Sequence, residues 1–301
     1  MIYLTKVDWN NLILPKLLKE ESFNKEFLES SKINNAINFF SRKIFNKPND
    51  QTYVFIAAQI IFHKYKICSN FSLSKYSSEE LYILLGACIY IGQKAINILK
   101  VKIENISFLI KQIMDKKNPE NNVDINDLST RLIQKEFDIL ELIGFNTDID
   151  SPFLFLNKIK KYLSQSEFNP ENFITLLIYI IKDSFILPLS LYYTPNVITI
   201  SCVQILKEKY NLNFINIKEL IASSEYNLND EEIQECASFI KKIEFSISEK
   251  KNQKMNQSNN DNKNVVKEQA EKSAGSATGT PISGETPHLM KIIPSIKMNI
   301  E

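Results

Sequence analysis

Between Tyr53 and Phe62 the sequence YVFIAAQIIF has almost no polar position, and a helix that is apolar on every side belongs at the centre of a bundle. Elsewhere apolar residues recur at helical spacing. In SSEELYILLGACIYIGQK, the positions Leu84, Ala87, Cys88, Ile91 and Ala95 share one helix face. Ser77-x-x-Glu80 in front of them is a capping box: the serine accepts from the third helical N–H and the glutamate reaches back. Thr194-Pro195 sets a capping hydroxyl before a proline at the first helical position and opens PNVITISCVQILKEKY. Asn126–Asp127 opens DLSTRLIQKEFDILELI, with Gly144 as its C-terminal stop, and Asn229-x-x-Glu232 opens DEEIQECASFIKKIEF. Every strong periodicity is helical, so the fold class expected is all-α.

Organisation along the chain follows from where this patterning stops. From Ser248 the composition turns to Asn, Lys, Ser, Gly and Gln with almost no aromatics. Such a segment buries too little apolar surface to offset its ordering entropy, so a disordered tail is expected over 248–301. KKNPENNVDIN, Lys116 to Asn126, reads as a loop, and Pro152 and Asn169–Pro170 punctuate the middle. There is also an internal echo: Gly86-Ala87-Cys88-Ile89-Tyr90-Ile91 resembles Ile200-Ser201-Cys202-Val203-Gln204-Ile205. Each lies mid-helix after a capping signal, and this hints at two bundles built on one plan.

Composition narrows the function classes. The chain carries 36 Lys and Arg against 35 Asp and Glu, a net charge of +1, so the basic footprint of a nucleic-acid binder is missing and none is expected as a direct partner. Six glycines are too few for glycine-turn sandwiches or phosphate-cradling loops. Cys68, Cys88, Cys202 and Cys236 form no close pair and read as buried thiols of a reducing compartment. MIYLTKVDWNN lacks the features of a signal peptide, and Phe173 to Ile181, the richest apolar run, is about half a membrane span. A soluble, intracellular protein with no membrane partner is expected.

Two charged residues break the apolar pattern. Glu136 falls on the inward stripe Leu132, Ile139, Leu140, Ile143, and Lys94 ends the apolar face that carries Ala87 and Ile91. A half-buried carboxylate is costly unless paired, so the natural partners are each other or groups of another chain. The plainer alternative is two solvated side chains, with Lys94 complementing a helix C-terminus.

The segments carrying these residues resemble the cyclin box. TYVFIAAQIIFHKYKICSNF, Thr52 to Phe71, is similar to the second helix of cyclins that act with transcriptional kinases. ACIYIGQK is similar to the family's A-C-L-F-L-A-x-K helix. EFDILELIGFNTDIDSPFLFL, Glu136 to Leu156, resembles the E-x-x-I-L-x-x-L-G-F stretch of the T, K and L cyclins, and KDSFILPLSLYYTPNVITISCVQI resembles their second box. Together these cover most of residues 30–210. The resemblance implies two tandem five-helix bundles, set out as an N-terminal helical segment over 1–30, a first cyclin box over 31–150 and a second over 151–247. It implies that Lys94 and Glu136 match the family's Lys–Glu pair against the kinase, with Phe145 an aromatic on the same surface.

Departures are visible as well. Ala95-Ile96-Asn97 stands where an acidic Val-Glu-Glu is usual, Ser151-Pro152-Phe153 where His-Pro-His is usual, and KINNAINFFSRKIF lacks the M-R-A-I-L recruitment patch of cell-cycle cyclins. The function implied is a non-catalytic, nuclear or nucleocytoplasmic regulatory subunit that binds and activates a cyclin-dependent protein kinase in transcription or RNA processing. No cofactor and no metal are expected. The alternatives are a general transcription factor of the TFIIB type, which the charge and cysteines disfavour, and a helical scaffold without a kinase. No phosphate loop, kinase catalytic loop or metal motif is present, and His63 reads as a core histidine, with His288 in the tail. Thr280 and Thr286, each before a proline, have the minimal form of proline-directed phosphorylation sites.

Overall fold

The computed structural model describes residues 11–273 apart from 12, 70, 118–122, 164–169, 214 and 224–227. The chain divides into one unit over Met1–Ser248 and another over Glu249–Glu301. After a short α1 (Leu14–Leu18) the first unit holds a five-helix bundle: α2 (Glu20–Ile44), α3 (Pro48–Cys68), α4 (Ser78–Ala95), α5 (Ile103–Lys117) and α6 (Ile125–Leu142). A second five-helix bundle follows: α7 (Leu156–Leu163), α8 (Pro170–Ser184), α9 (Pro195–Tyr210), α10 (Ile217–Ser223) and α11 (Asp230–Ser273). Helix α2 runs unbroken through residues 30 and 31. No helix among the described residues is long and apolar enough to cross a membrane.

Local chemistry explains several helix ends. Ser77 and Glu80 form the reciprocal capping box, and the Thr194 hydroxyl accepts from the Val197 N–H behind Pro195. The start of α6 differs from expectation: Asp124 is its cap, accepting from the Asn126 N–H at 3.2 Å, and the helix begins at Ile125. An aspartate is as good a cap as an asparagine, and it stands two residues earlier. The last helix also runs further than its composition led one to expect, through Ser273. Ile233, Cys236, Ala237, Phe239, Ile240 and Ile243 are its buried apolar residues before the unit boundary at Ser248. Residues 274–301, with Thr280, Thr286 and His288, lie outside the described residues.

The helix predicted to be central is central. Twelve consecutive residues of α3, Val54 to Tyr65, are buried. Against it lies α4, buried from Ile83 through Gln93 except at Tyr90. The two helices are close at Gly92, where an added Cβ would stand 2.9 Å from the Ala58 amide nitrogen and 3.2 Å from the Ala57 carbonyl carbon. Three polar side chains on α3 are sealed inside, and each has at least one partner. The Gln59 amide donates to Asn34 Oδ1 at 2.9 Å. Lys64 Nζ donates to the carbonyls of Asn146 and Asp148, both at 3.0 Å, and to Asn146 Oδ1. His63 Nε2 lies 2.8 Å from the Phe185 carbonyl, which only accepts, so the proton is on Nε2. Its Nδ1 has no partner among the described residues, so the expected core histidine is only half satisfied.

The internal echo maps onto equivalent elements, since α4 and α9 are the third helices of the two bundles. Both end on an asparagine with positive φ, Asn97 at 56° and Asn211 at 53°. Both close with the same backbone bond, Ile98 N–H to Gln93 O at 2.8 Å and Leu212 N–H to Lys207 O at 2.9 Å. These asparagines fall in the same register as the echoed hexapeptides. The cysteines behave less uniformly than expected: Cys88, Cys202 and Cys236 are buried, and burial pushes their thiols above the ordinary value. Cys68 is exposed, because it sits in the last turn of α3, past the twelve-residue buried stretch.

Two measurements test this packing. Burial pulls the His63 imidazole down to about 4 from 6.5, against a partial rise from its bond to Phe185. The unfolded chain therefore binds the extra proton first. Stability is full above pH 6.5 and falls toward pH 4, by about 3 kcal/mol in all. Urea unfolding at pH 7.5 and at pH 5 is expected to show about 2 kcal/mol of this loss in the wild type and much less of it in His63→Gln. The glycines give a second comparison. Replacing Gly92 with alanine presses on α3 backbone and is expected to cost about 2 kcal/mol. At Gly86 a new Cβ meets only side-chain methyls of Ile106, Leu132 and Ile110. There the helix-propensity gain of about 1 kcal/mol offsets much of the crowding, and the melting temperature should move less.

Candidate functional site

Lys94 and Glu136 meet. Lys94 in the last turn of α4 donates from Nζ to Glu136 Oε1 on α6 at 2.8 Å. The lysine side chain is 44% exposed and the glutamate 12%. Nζ also stands 4.1 Å from the centroid of the Tyr90 ring, one turn earlier on α4. A pair this open to water contributes only about 0.5 kcal/mol to folding. Its effect is positional: a half-buried carboxylate and a cation are fixed at the rim between the third and fifth helices.

Around the pair the surface is apolar. On α6, Ile133 and Phe137 lie one turn apart and both are more than half exposed. Phe145 is 60% exposed, and its ring meets Phe137 edge-on with centroids 6.2 Å apart. The chain after α6 explains how an aromatic comes to sit there. Gly144 (φ 63°) and Phe145 (φ 54°) are consecutive left-handed residues. The Gly144 N–H bonds to Glu141 O at 3.0 Å and the Phe145 N–H to Leu140 O at 2.6 Å. Glycine adopts this conformation freely, whereas for phenylalanine it costs about 1 to 2 kcal/mol. Strain of this kind tends to collect where a side chain must be presented.

The segment after α4 is held just as firmly. Asn97, where the cyclin pattern has an acidic residue, is the left-handed cap that stops α4 just after Lys94. Gln93, fully enclosed, donates to Val101 O at 2.6 Å and accepts from Val101 N–H at 3.2 Å. Lys100 pairs with Asp50 at 2.5 Å. Between these ties Leu99 is left 71% exposed.

Thus the two charged residues singled out from the pattern come together, and Phe145 stands out on the same stretch of α6 and its cap. Sequence reasoning missed Ile133, Phe137, Leu99 and Gln93. The first two had a readable signal, since they are large apolar residues off the inward stripe of an amphipathic helix. Gln93 had none, because its role depends on where residue 101 returns.

No protein-family model matches the sequence, and no curated protein matches it. Among solved structures, a chain of the yeast RNA Pol II CTD kinase CTDK-1 complex is similar with a TM-score of 0.55 and 17% identity, over 80% of this chain and 72% of that one. A viral cyclin from herpesvirus saimiri is similar over 78% of this chain and 97% of its own, with a TM-score of 0.48 and 18% identity. A chain of the yeast TFIIK (Kin28/Ccl1/Tfb3) complex gives a TM-score of 0.44 at 15% identity, over 74% of this chain and 94% of that one. The likeness to the CTDK-1 chain, taken with two five-helix bundles in series and equivalent third helices, carries the architecture. The chain has the tandem cyclin-box fold.

Proposed function

We propose that this protein is a cyclin of the transcriptional type, a regulatory subunit that binds and activates a cyclin-dependent protein kinase. The observation that carries the reading is the Lys94–Glu136 pair at the rim of an exposed apolar surface made by Ile133, Phe137 and Phe145. An apolar patch beside fixed charges is the usual composition of a protein-docking face. The fold's likeness to a chain of an RNA Pol II CTD kinase complex supports a role in transcription, with the polymerase tail or RNA-processing factors as substrates and the nucleus as the place of action.

The mechanism follows from what such a face does to a mobile partner. Phe137 and Phe145 would bury against the kinase's αC helix, and the Lys94–Glu136 pair would meet polar groups at its end. Holding that helix inward lets its glutamate pair with the ATP-binding lysine. The activation loop then orders, because the bound conformation is the one the contact favours. This protein contributes docking and the kinase contributes the chemistry. In this reading Lys94, Glu136 and Phe145 are kinase-binding residues and none is catalytic.

Affinity capture of the tagged full-length protein from its native cells should bring down a protein kinase, and the reading falls if none co-purifies. Reversing the charge at Glu136 (Glu136→Lys) is expected to cut kinase capture at least about tenfold. Because the pair stabilises the free fold by little, its melting temperature should move by only a few degrees. Phe145→Gly removes the ring and relieves the left-handed strain, so capture should fall while the free protein melts no earlier than wild type. A large loss of stability with capture intact would make these residues structural.

A further inference from the structure

The segment joining α4 to α5 treats its apolar residues unequally. Ile96, Ile98 and Val101 are partly buried and pack against the core. Leu99, between them, is 71% exposed, the most exposed large apolar residue among those described. An exposed leucine alone carries little meaning, because much of any protein surface is apolar. In a slack loop, however, such a side chain would gain by folding back onto the core that Ile98 and Val101 already touch.

This loop is not slack. The Asn97 N–H bonds to Lys94 O at 3.1 Å, the Ile98 N–H to Gln93 O at 2.8 Å and the Lys100 N–H to Ile98 O at 2.9 Å. The Lys100 ammonium holds Asp50 on α3. The buried Gln93 amide takes both backbone groups of Val101. Leu99 therefore stands at the tip of a span whose backbone is bonded at 97, 98, 100 and 101. A side chain carried on backbone that is already fixed is offered to a partner at little further cost in ordering. The same bonds say where it is offered: Ile98 is tied to the last turn of α4, the turn that carries Lys94, so Leu99 lies beside the Lys94–Glu136 pair. Charge at this edge is answered within the chain, by Glu136 for Lys94 and by Asp50 for Lys100. What the loop presents is an apolar side chain.

We propose that Leu99 is a specificity-determining contact of the kinase-docking face, seated in an apolar hollow of the kinase. This rests on the reading of the protein as a kinase-binding subunit and adds to it what that kinase must present: apolar surface next to the groups that meet Lys94 and Glu136. A kinase with a charged side chain at that place would have to bury it against a leucine, and is rejected. The test is capture of the co-purifying kinase by the tagged full-length protein, washed at low and at high salt. Leu99→Ser is expected to lower capture at least about tenfold and Leu99→Met to keep most of it. Neither should shift the melting temperature of the free protein much, since the side chain it replaces is in water. The loss in Leu99→Ser should persist at high salt, whereas that in Glu136→Lys should shrink. Undiminished capture by Leu99→Ser, with Glu136→Lys still impaired, would overturn this inference and leave the kinase-binding reading standing. So would a loss in Leu99→Ser that high salt abolishes. Absence of any kinase from the wild-type capture would overturn both.

Discussion

A helix with twelve consecutive buried residues has no face to give to water, and the architecture is arranged around that constraint. Neighbours must cover every side of α3, and its polar groups must find partners in whatever covers them. Gln59 is matched by Asn34 on α2, within the first bundle. Lys64 is matched by backbone oxygens of Asn146 and Asp148, in the connection that leads out of that bundle. His63 is matched by the Phe185 carbonyl, at the end of α8 in the second. The polar residues of the central helix are therefore its long-range ties. An apolar helix fixes how much must be covered; these three residues fix which chain segments do the covering. The close approach at Gly92 works with them, since any larger residue would push α4 away from Ala57 and Ala58.

What could be read in the sequence was what depends on near neighbours. Ser77 and Thr194 announced their helices because a capping hydroxyl acts on N–H groups two or three residues ahead. Gly144 announced a stop because a left-handed residue is a local requirement. The Lys94–Glu136 pair was legible for a different reason: a charge on an apolar stripe has to be answered, and two such charges on neighbouring helices answer one another. Cys68 was misjudged because apolar spacing does not show where burial along a helix gives out. The left-handed conformation of Phe145 was not legible either, because nothing about a phenylalanine forecasts it and only the capping bonds of the preceding helix impose it. His63 was placed in the core correctly, but its empty Nδ1 depends on a contact 122 residues away in sequence.

The repeated plan separates what the fold supplies from what this site adds. Counting along the echoed segments, the position of Lys94 on α4 corresponds to Glu208 on α9. Glu208 pairs with Lys241 on α11, the fifth helix of its bundle, at 2.6 Å. A third-to-fifth helix ion pair thus occurs in both bundles with the signs exchanged. The surroundings differ. Glu208 and Lys241 are each 48% exposed, whereas Glu136 is 12% exposed. The pair alone is then a property of the architecture, and function has to be argued from the left-handed Phe145 held out beside the first bundle's pair.

That neighbourhood bears on the departure at Ala95-Ile96-Asn97. Where the cyclin pattern continues in acidic residues after the lysine, this chain turns, because Asn97 takes the left-handed conformation and closes α4 on Gln93. The same Gln93 then clamps Val101, so one residue fixes the helix end through its backbone carbonyl and, through its side chain, the returning stretch of chain that exposes Leu99. Charge has been exchanged for a rigid apolar edge. Apolar burial contributes roughly 25 cal/mol per Å² removed from water and is little affected by salt, whereas exposed carboxylates act mainly through screened, orientation-dependent contacts. A partner docking on this edge, as the proposed function requires, would have to present apolar surface to Leu99, so that contact would rest on shape and burial.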